Sequence, residues 1–255
     1  MMNIDFSGQT VLVTGAGRGI GRAIAAAFAG GGARVLLHYA HDRARAEATR
    51  QQLPGADHRL VQARLEDTDE VRALAEAVIA DPGVPDVLVN NAGVFQPRPV
   101  DELGFGEWQE IWEHSLAVNL HGPAHLSFLL GRTMAQRGSG RIINISSRGA
   151  FRGEPEAPAY GASKAGLNAL GQSLAQAFGP HGVAVTGVAP GFTETDMTRE
   201  LLAGETGAAI RAQSPMNRVA RPEEVASTVT WLAGPEAAFA SGTIIDLNGA
   251  SHLRS

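Results

Sequence analysis

Short apolar runs alternate with amphipathic stretches along the chain, and the alternation predicts strand and helix in turn. Thr10–Val13 is a β-branched apolar run that ends in a glycine-rich turn. Gly21–Phe28 then reads as a helix, broken by Gly30-Gly31-Gly32. Arg34–Tyr39 predicts a second strand, Ala44–Leu53 a helix stopped by Pro54, and His58–Ala63 a third strand. Asp69–Ala80 predicts a helix whose first turn is acidic, as the helix dipole favours, and Val87–Val89 a fourth strand. A long helical stretch follows over Gly106–Arg137, with a bend expected at Pro123. Arg141–Ile145, Val183–Val188 and Ile244–Leu247 predict the remaining strands, and Ala157–Phe178 a helix. The strand runs show little polar alternation, so both sheet faces are buried, which a parallel sheet between helix layers requires. The expected fold is a doubly wound α/β sheet in three layers.

Composition narrows the class. The 255 residues suit one domain, and no repeat, linker or low-complexity tract divides them. The formal net charge is −5 with no basic run, which argues against nucleic acid as a partner. There is no cysteine, so disulfides, thiolate chemistry and Cys-ligated metal are excluded. Met1–Ser7 lacks the basic and apolar regions of a secretory leader. No apolar run approaches the roughly 18 residues of a membrane helix, so the expected setting is the cytoplasm. Between Phe192 and Gln213 the chain turns polar with little periodicity, as a mobile substrate loop beside a rigid scaffold would.

Chemistry concentrates at the ends of the strands. The first leads into Thr14-Gly15-Ala16-Gly17-Arg18-Gly19-Ile20-Gly21, where glycine allows close approach and the following helix offers free N–H groups to a pyrophosphate. The fourth ends in Asn90-Asn91-Ala92-Gly93, at the carboxyl edge where open α/β sheets bind ligands. The fifth ends in Ser146-Ser147, and Tyr160-Gly161-Ala162-Ser163-Lys164 follows thirteen residues past Ser147. A Tyr and a Lys four apart share a helix face, so the ammonium is expected to favour the phenolate. The chain has only two tyrosines, which makes a chance pairing at this place improbable.

These motifs, TGxxxGxG, NNAG and Ser with YxxxK, resemble the short-chain dehydrogenase/reductase family over essentially the whole chain. The resemblance implies a Rossmann fold and hydride transfer between NADP(H), with NAD(H) the alternative, and a small carbonyl or alcohol substrate. It implies Tyr160 as proton donor and acceptor, with Lys164 lowering its pKa and binding the nicotinamide ribose. Ser147 would hold the substrate oxygen, its neighbour Ser146 lying one position off the family spacing. Asn119 would hold a water in the proton relay. For the cofactor it implies Gly15, Arg18, Gly19, Ile20, Gly21, Leu65, Asn90, Ala92 and Gly93, together with Pro190, Gly191, Thr193 and Thr195 of a PGxxxT-like loop. Residues 1–95 would mainly bind cofactor, and 96–255 would carry the catalytic residues and the 192–213 loop. The family's four-helix contact implies a homotetramer or homodimer. Of its branches, the 3-oxoacyl thioester reductases are nearest in Pro190–Thr198 and Pro215–Val225. Gly138 and His181, however, stand where carrier-protein reductases often place basic residues. A polyol or sugar dehydrogenase therefore stays open, as does a non-catalytic NAD(P)-sensing protein.

NADP is favoured at the second strand. An NAD site places an acid at that strand's end, where this chain has Tyr39, with Asp42 three residues on. Arg18 in the turn and His41 offer donors to a 2′-phosphate. Where relatives carry an adenine-binding aspartate stands Arg64, which cannot accept that hydrogen bond but could stack on the ring. The Leu65 backbone remains available. No metal site is expected, since His114, His121 and His125 have no accompanying carboxylate set. Trp108 and Trp112, one turn apart, read as core or as a subunit contact. Arg148, Arg152, Glu154 and Glu156 crowd the segment before Tyr160. Solvated loop charges are the expected reading, with substrate contact the alternative.

Overall fold

A computed structural model describes residues 4–196 and 198–254. Met1–Asn3, which open the stretch read for a leader, and Met197 in the polar loop lie outside the described residues. The first half runs β1 (Thr10–Val13), α1 (Gly19–Gly30), β2 (Arg34–Tyr39), α2 (Arg43–Gln52), β3 (Arg59–Gln62), α3 (Thr68–Ala80) and β4 (Val87–Asn90). The second half runs α4 (Phe105–Leu116), α5 (Gly122–Arg137), β5 (Gly140–Ile145), α6 (Gly149–Arg152), α7 (Pro158–Phe178) and β6 (Val183–Pro190). It closes with α8 (Arg199–Ala203), α9 (Gly207–Ala212), α10 (Pro222–Ala233) and β7 (Ile244–Leu247).

The seven strands form one parallel sheet in the order β3-β2-β1-β4-β5-β6-β7. Successive strand residues feed opposite faces, as a period of two demands. Val11, Val13, Val35, Leu37 and Ile143 pack with α1 and α10 through Ile24, Phe28, Val225 and Val229. Leu12, Leu36, Leu88, Ile142 and Val185 pack on the other face with Val71 of α3 and Leu126, Leu130 and Met134 of α5. This is the doubly wound, three-layer single domain that the continuous apolar runs predict. Strand order reverses direction between β1 and β4, which opens a crevice at their carboxyl ends.

Two elements differ from the sequence expectation. The stretch 106–137 is divided into α4 and α5, and Pro123 sits in the first turn of α5. A π turn over Ala117–His121 widens the helix just before it. In a regular helix the carbonyl of Asn119 would accept from the N–H of residue 123, and a proline has none to give. The 192–213 segment carries α8 and α9, of five and six residues, too short for periodicity to register. Leu202 and Ile210 anchor them to the body. The helix α10 was legible but unread: Pro222 opens it, and the Glu224 carboxylate accepts from the Arg221 N–H at 2.8 Å.

Candidate active site

The glycine turn sits on the crevice. Gly15 and Gly19 have φ of +65° and +52°, and a Cβ on Gly21 would lie 2.2 Å from the Gly15 carbonyl. Only glycine fits there. The first turn of α1 has no side-chain cap, so its N–H groups remain free for an anion. The backbone at Gly15, Arg18, Gly19, Ile20 and Gly21 forms a cradle that could hold a pyrophosphate-bearing cofactor. From the loop after β6, Thr195 comes over the turn: a Cβ on Gly19 would meet its Cγ2 at 3.2 Å. Thr198 latches that loop by donating to the Thr193 carbonyl at 2.6 Å and accepting from the Thr195 N–H at 3.0 Å. Pro190 and Gly191 continue from β6 into it, with Gly191 against Asn248.

The NNAG segment is split between two jobs. Asn90 turns its side chain under the sheet, donating to Ser127 Oγ at 3.0 Å and Asn144 Oδ1 at 2.9 Å, so only its backbone is left for the crevice. Asn91, which the sequence reading passed over, donates to the Thr14 carbonyl at 2.8 Å. Thr14 Oγ1 accepts from the N–H groups of Asn91 and Ala92 at 2.9 and 3.0 Å. These bonds tie the glycine turn to β4. Gly93 leaves room for Asn119 and Lys164, whose polar atoms a Cβ would meet at 3.2 and 3.4 Å.

A second residue missing from the sequence reading is His38. It is fully enclosed; its Nδ1 accepts from the Gly15 N–H at 3.1 Å and its Nε2 donates to the Ala63 carbonyl at 3.0 Å. One neutral tautomer satisfies both bonds. Burial pushes its pKa down from 6.5 to about 4. Its stabilising contribution is therefore complete above pH 6.5 and is lost as pH falls toward 4, about 3 kcal/mol in all. Urea midpoints compared at pH 7 and pH 4.5 should fall further for the wild type than for His38→Gln. Equal drops in the two proteins would show that His38 is not the acid-sensitive tether.

At the adenosine end the side chains are committed elsewhere. Tyr39 is buried and its hydroxyl donates to Gln62 at 3.3 Å. Asp42 caps α2, accepting from the Arg45 N–H at 2.9 Å and pairing with Arg45 Nε at 3.2 Å. Arg64 is not free to stack on adenine, because its Nε donates to Glu70 at 2.8 Å and its Nη2 to Asp67 at 2.9 Å. Leu65 packs beneath Gly122. Arg18 and His41 stay exposed. Arg18 and Arg22 open onto a cavity of about 440 Å³ that Arg45, Thr49 and Arg199 complete.

The candidate reacting groups converge at the ends of β4 and β5. Tyr160 meets Phe95 edge-on at 5.0 Å, and Ser147 Oγ accepts from the Gly149 N–H at 3.0 Å beside it. Lys164 is buried, its Nζ donating to the Ile145 carbonyl at 2.8 Å and lying 5.8 Å from the Tyr160 ring centre. Burial lowers the Lys164 pKa to about 8. The expectation that the ammonium draws the Tyr160 pKa down is corrected: burial raises it, outweighing the Ser147 hydroxyl that pulls it down, and the Glu154 carboxylate adds to the rise. Asn119 is wholly enclosed; its Oδ1 accepts from Val94 N–H at 2.8 Å and its Nδ2 donates to the Val94 carbonyl at 3.0 Å and Ser163 Oγ at 3.1 Å. Its side chain is thus a clamp.

The comparisons agree on the family. A family model described as Enoyl-(Acyl carrier protein) reductase matches residues 15–252. The 3-oxoacyl-(acyl-carrier-protein) reductase of Escherichia coli (strain K12) is 37% identical over 250 residues, covering 98% of this chain and 100% of that relative. The chain belongs to the short-chain dehydrogenase/reductase family. Solved structures agree: a short-chain dehydrogenase/reductase family protein superposes with a TM-score of 0.84 at 34% identity, over 96% of this chain and 98% of that one. A putative NAD(P)-dependent gluconate 5-dehydrogenase from Beutenbergia cavernae with bound NADP has a TM-score of 0.88 at 36% identity, over 97% and 98%. The protein is accordingly an NAD(P)-dependent oxidoreductase of carbonyl and alcohol groups with a small-molecule substrate. Among the described residues, no helix is long and apolar enough to cross a membrane.

Proposed function

We propose that this short-chain dehydrogenase/reductase is an NADP(H)-dependent reductase of small ketones or 3-oxoacyl compounds, working in the cytoplasm. The observation that carries the reading is the convergence of Ser147, Tyr160 and Lys164 beside an uncapped glycine turn. Residues 1–95 supply most of the cofactor cradle, and 96–255 the reacting groups and substrate loop. When bound, the cofactor supplies the hydride. Ser147 holds the carbonyl oxygen by its hydroxyl, and Tyr160, kept protonated by burial, gives that oxygen its proton. Lys164 holds the ribose and returns a proton toward Tyr160, through a water on the Asn119 carbonyl. NADP is favoured by the exposed Arg18 and by the commitment of Asp42 to α2. Following NADPH absorbance over a panel of ketones, acyl thioesters and sugars tests the reading: turnover of sugars or polyols alone would overturn it.

The reading includes a homotetramer or homodimer. Only Ser115 of α4 is buried within the chain. The Trp108 and Trp112 rings lie 5.5 Å apart, tilted at 49°, along this helix, and Phe105 stands 74% exposed. Ala162, Ala169 and Ser173 of α7 form an exposed small-residue face, while Gly166 is already taken by Leu120. Such faces allow close helix packing between subunits. Light scattering at micromolar concentration should report a dimer or tetramer; a 26.6 kDa particle would refute the assembly.

A further inference from the structure

Of the charged residues before Tyr160, Arg152 and Glu156 are exposed and Glu154 is half-buried, as solvated loop charges would be, but Arg148 is enclosed. Arg148, one residue past Ser147, is only 3% exposed. A buried guanidinium is costly unless something neutralises it. Arg148 forms no ion pair among the described residues, and its side-chain hydrogen bond goes to a neutral group, Ser251 Oγ, at 2.6 Å. Its guanidinium lies 5.3 Å from the centre of the Phe192 ring, which again brings no negative charge. Burial lowers its pKa, and repulsion from Arg152 outweighs attraction from Glu154.

Arg148 also lines a cavity of about 240 Å³, between the end of β6 and the substrate loop. Phe192, Ile210, Val219 and Leu247 give it apolar walls. The other cation on its wall, Arg218, is cancelled by two 2.7 Å bonds to Glu224. One guanidinium without an ion pair among the described residues remains, facing a small and largely apolar space. A single negative charge on a short carbon chain complements it. A phosphate dianion would overshoot the charge, and a long neutral acyl chain would leave the guanidinium unpaired. Arg148 directly follows Ser147, the serine proposed to hold the reacting oxygen, in the chain.

We propose that Arg148 is the specificity-determining residue for a substrate carrying a free carboxylate a few carbons from its carbonyl, so that the enzyme reduces small oxo acids. This rests on the reductase reading above and narrows it. The guanidinium can hold a carboxylate through paired N–H donors, and Phe192 flanks the bound chain.

The probes are acetoacetate and its neutral ethyl ester, compared by kcat/KM with NADPH. Wild type should favour the acid at least tenfold. In Arg148→Met that ratio should collapse toward one, chiefly through the KM of the acid, and Arg148→Lys should restore part of it. A purely structural role would lower both substrates alike and leave the ratio unchanged, which would overturn the proposal. Wild-type preference for the ester would overturn it without any variant, so poor folding of Arg148→Met does not shield it. Failure of the reductase reading looks different: no carbonyl compound of either kind would then consume NADPH.

Discussion

Tyr160→Phe is expected to lower kcat for carbonyl reduction by at least about a hundredfold while fold and NADPH affinity persist. The substitution removes the phenolic oxygen and leaves the ring that packs on Phe95 at 5.0 Å. Burial raises the Tyr160 pKa, so the wild-type phenol carries its proton at neutral pH and is the acid that reduction needs. Lys164, lowered to about 8, is the group that changes charge within the working range. Reduction should therefore hold up to about pH 8 and decline above it as the ammonium loses its proton, whereas alcohol oxidation, which needs a base, should gain as pH rises. Rates of both directions between pH 6 and 10 check the sign. Turnover by Tyr160→Phe within a few-fold of wild type would remove Tyr160 from the chemistry.

What the sequence displayed and what it hid divide along a physical line. The buried parallel sheet was legible because each strand is a continuous apolar run, and TGxxxGxG, NNAG and YxxxK lie within single strand-to-helix junctions or one helix face. Local spacing suffices for those. His38 was hidden because its two partners, Gly15 and Ala63, are 23 and 25 residues away, and nothing in Leu36–Tyr39 marks a histidine as a tether. Arg148 was hidden for the same reason: a residue 103 positions later, Ser251, together with Phe192, makes its environment. The direction of the Tyr160 pKa was misread because spacing shows which groups are near and not how deeply they are enclosed. The π turn at Ala117–His121 lay in view, since Pro123 denies Asn119 its helical partner, but a proline is more easily taken for a bend.

Arg18→Ala is expected to weaken NADPH by roughly 10- to 100-fold and to change NADH little, a charge-assisted hydrogen bond contributing about 1.5–3 kcal/mol and each tenfold costing about 1.4. The 2′-phosphate is the only difference between the two cofactors, so a residue that acts on one and not the other must act there. The structure removes the competing acid: Asp42, the carboxylate nearest the end of β2 in sequence, is held by Arg45 as the cap of α2. It leaves the basic side open, since Arg199 pairs with Asp196 and Arg45 with Asp42 while Arg18 and Arg22 line the same cavity without an ion pair among the described residues. Arg22 therefore limits the loss, which places the single substitution at the lower end of the range and Arg18→Ala with Arg22→Ala at the upper end. Salt should act in parallel, because exposed guanidinium–phosphate contacts are screened within about 8 Å at physiological ionic strength. The measurement is kcat/KM with both cofactors for wild type and the two variants. A wild-type enzyme that prefers NADH, or an Arg18→Ala enzyme that loses both cofactors equally, would place the 2′-phosphate contact elsewhere.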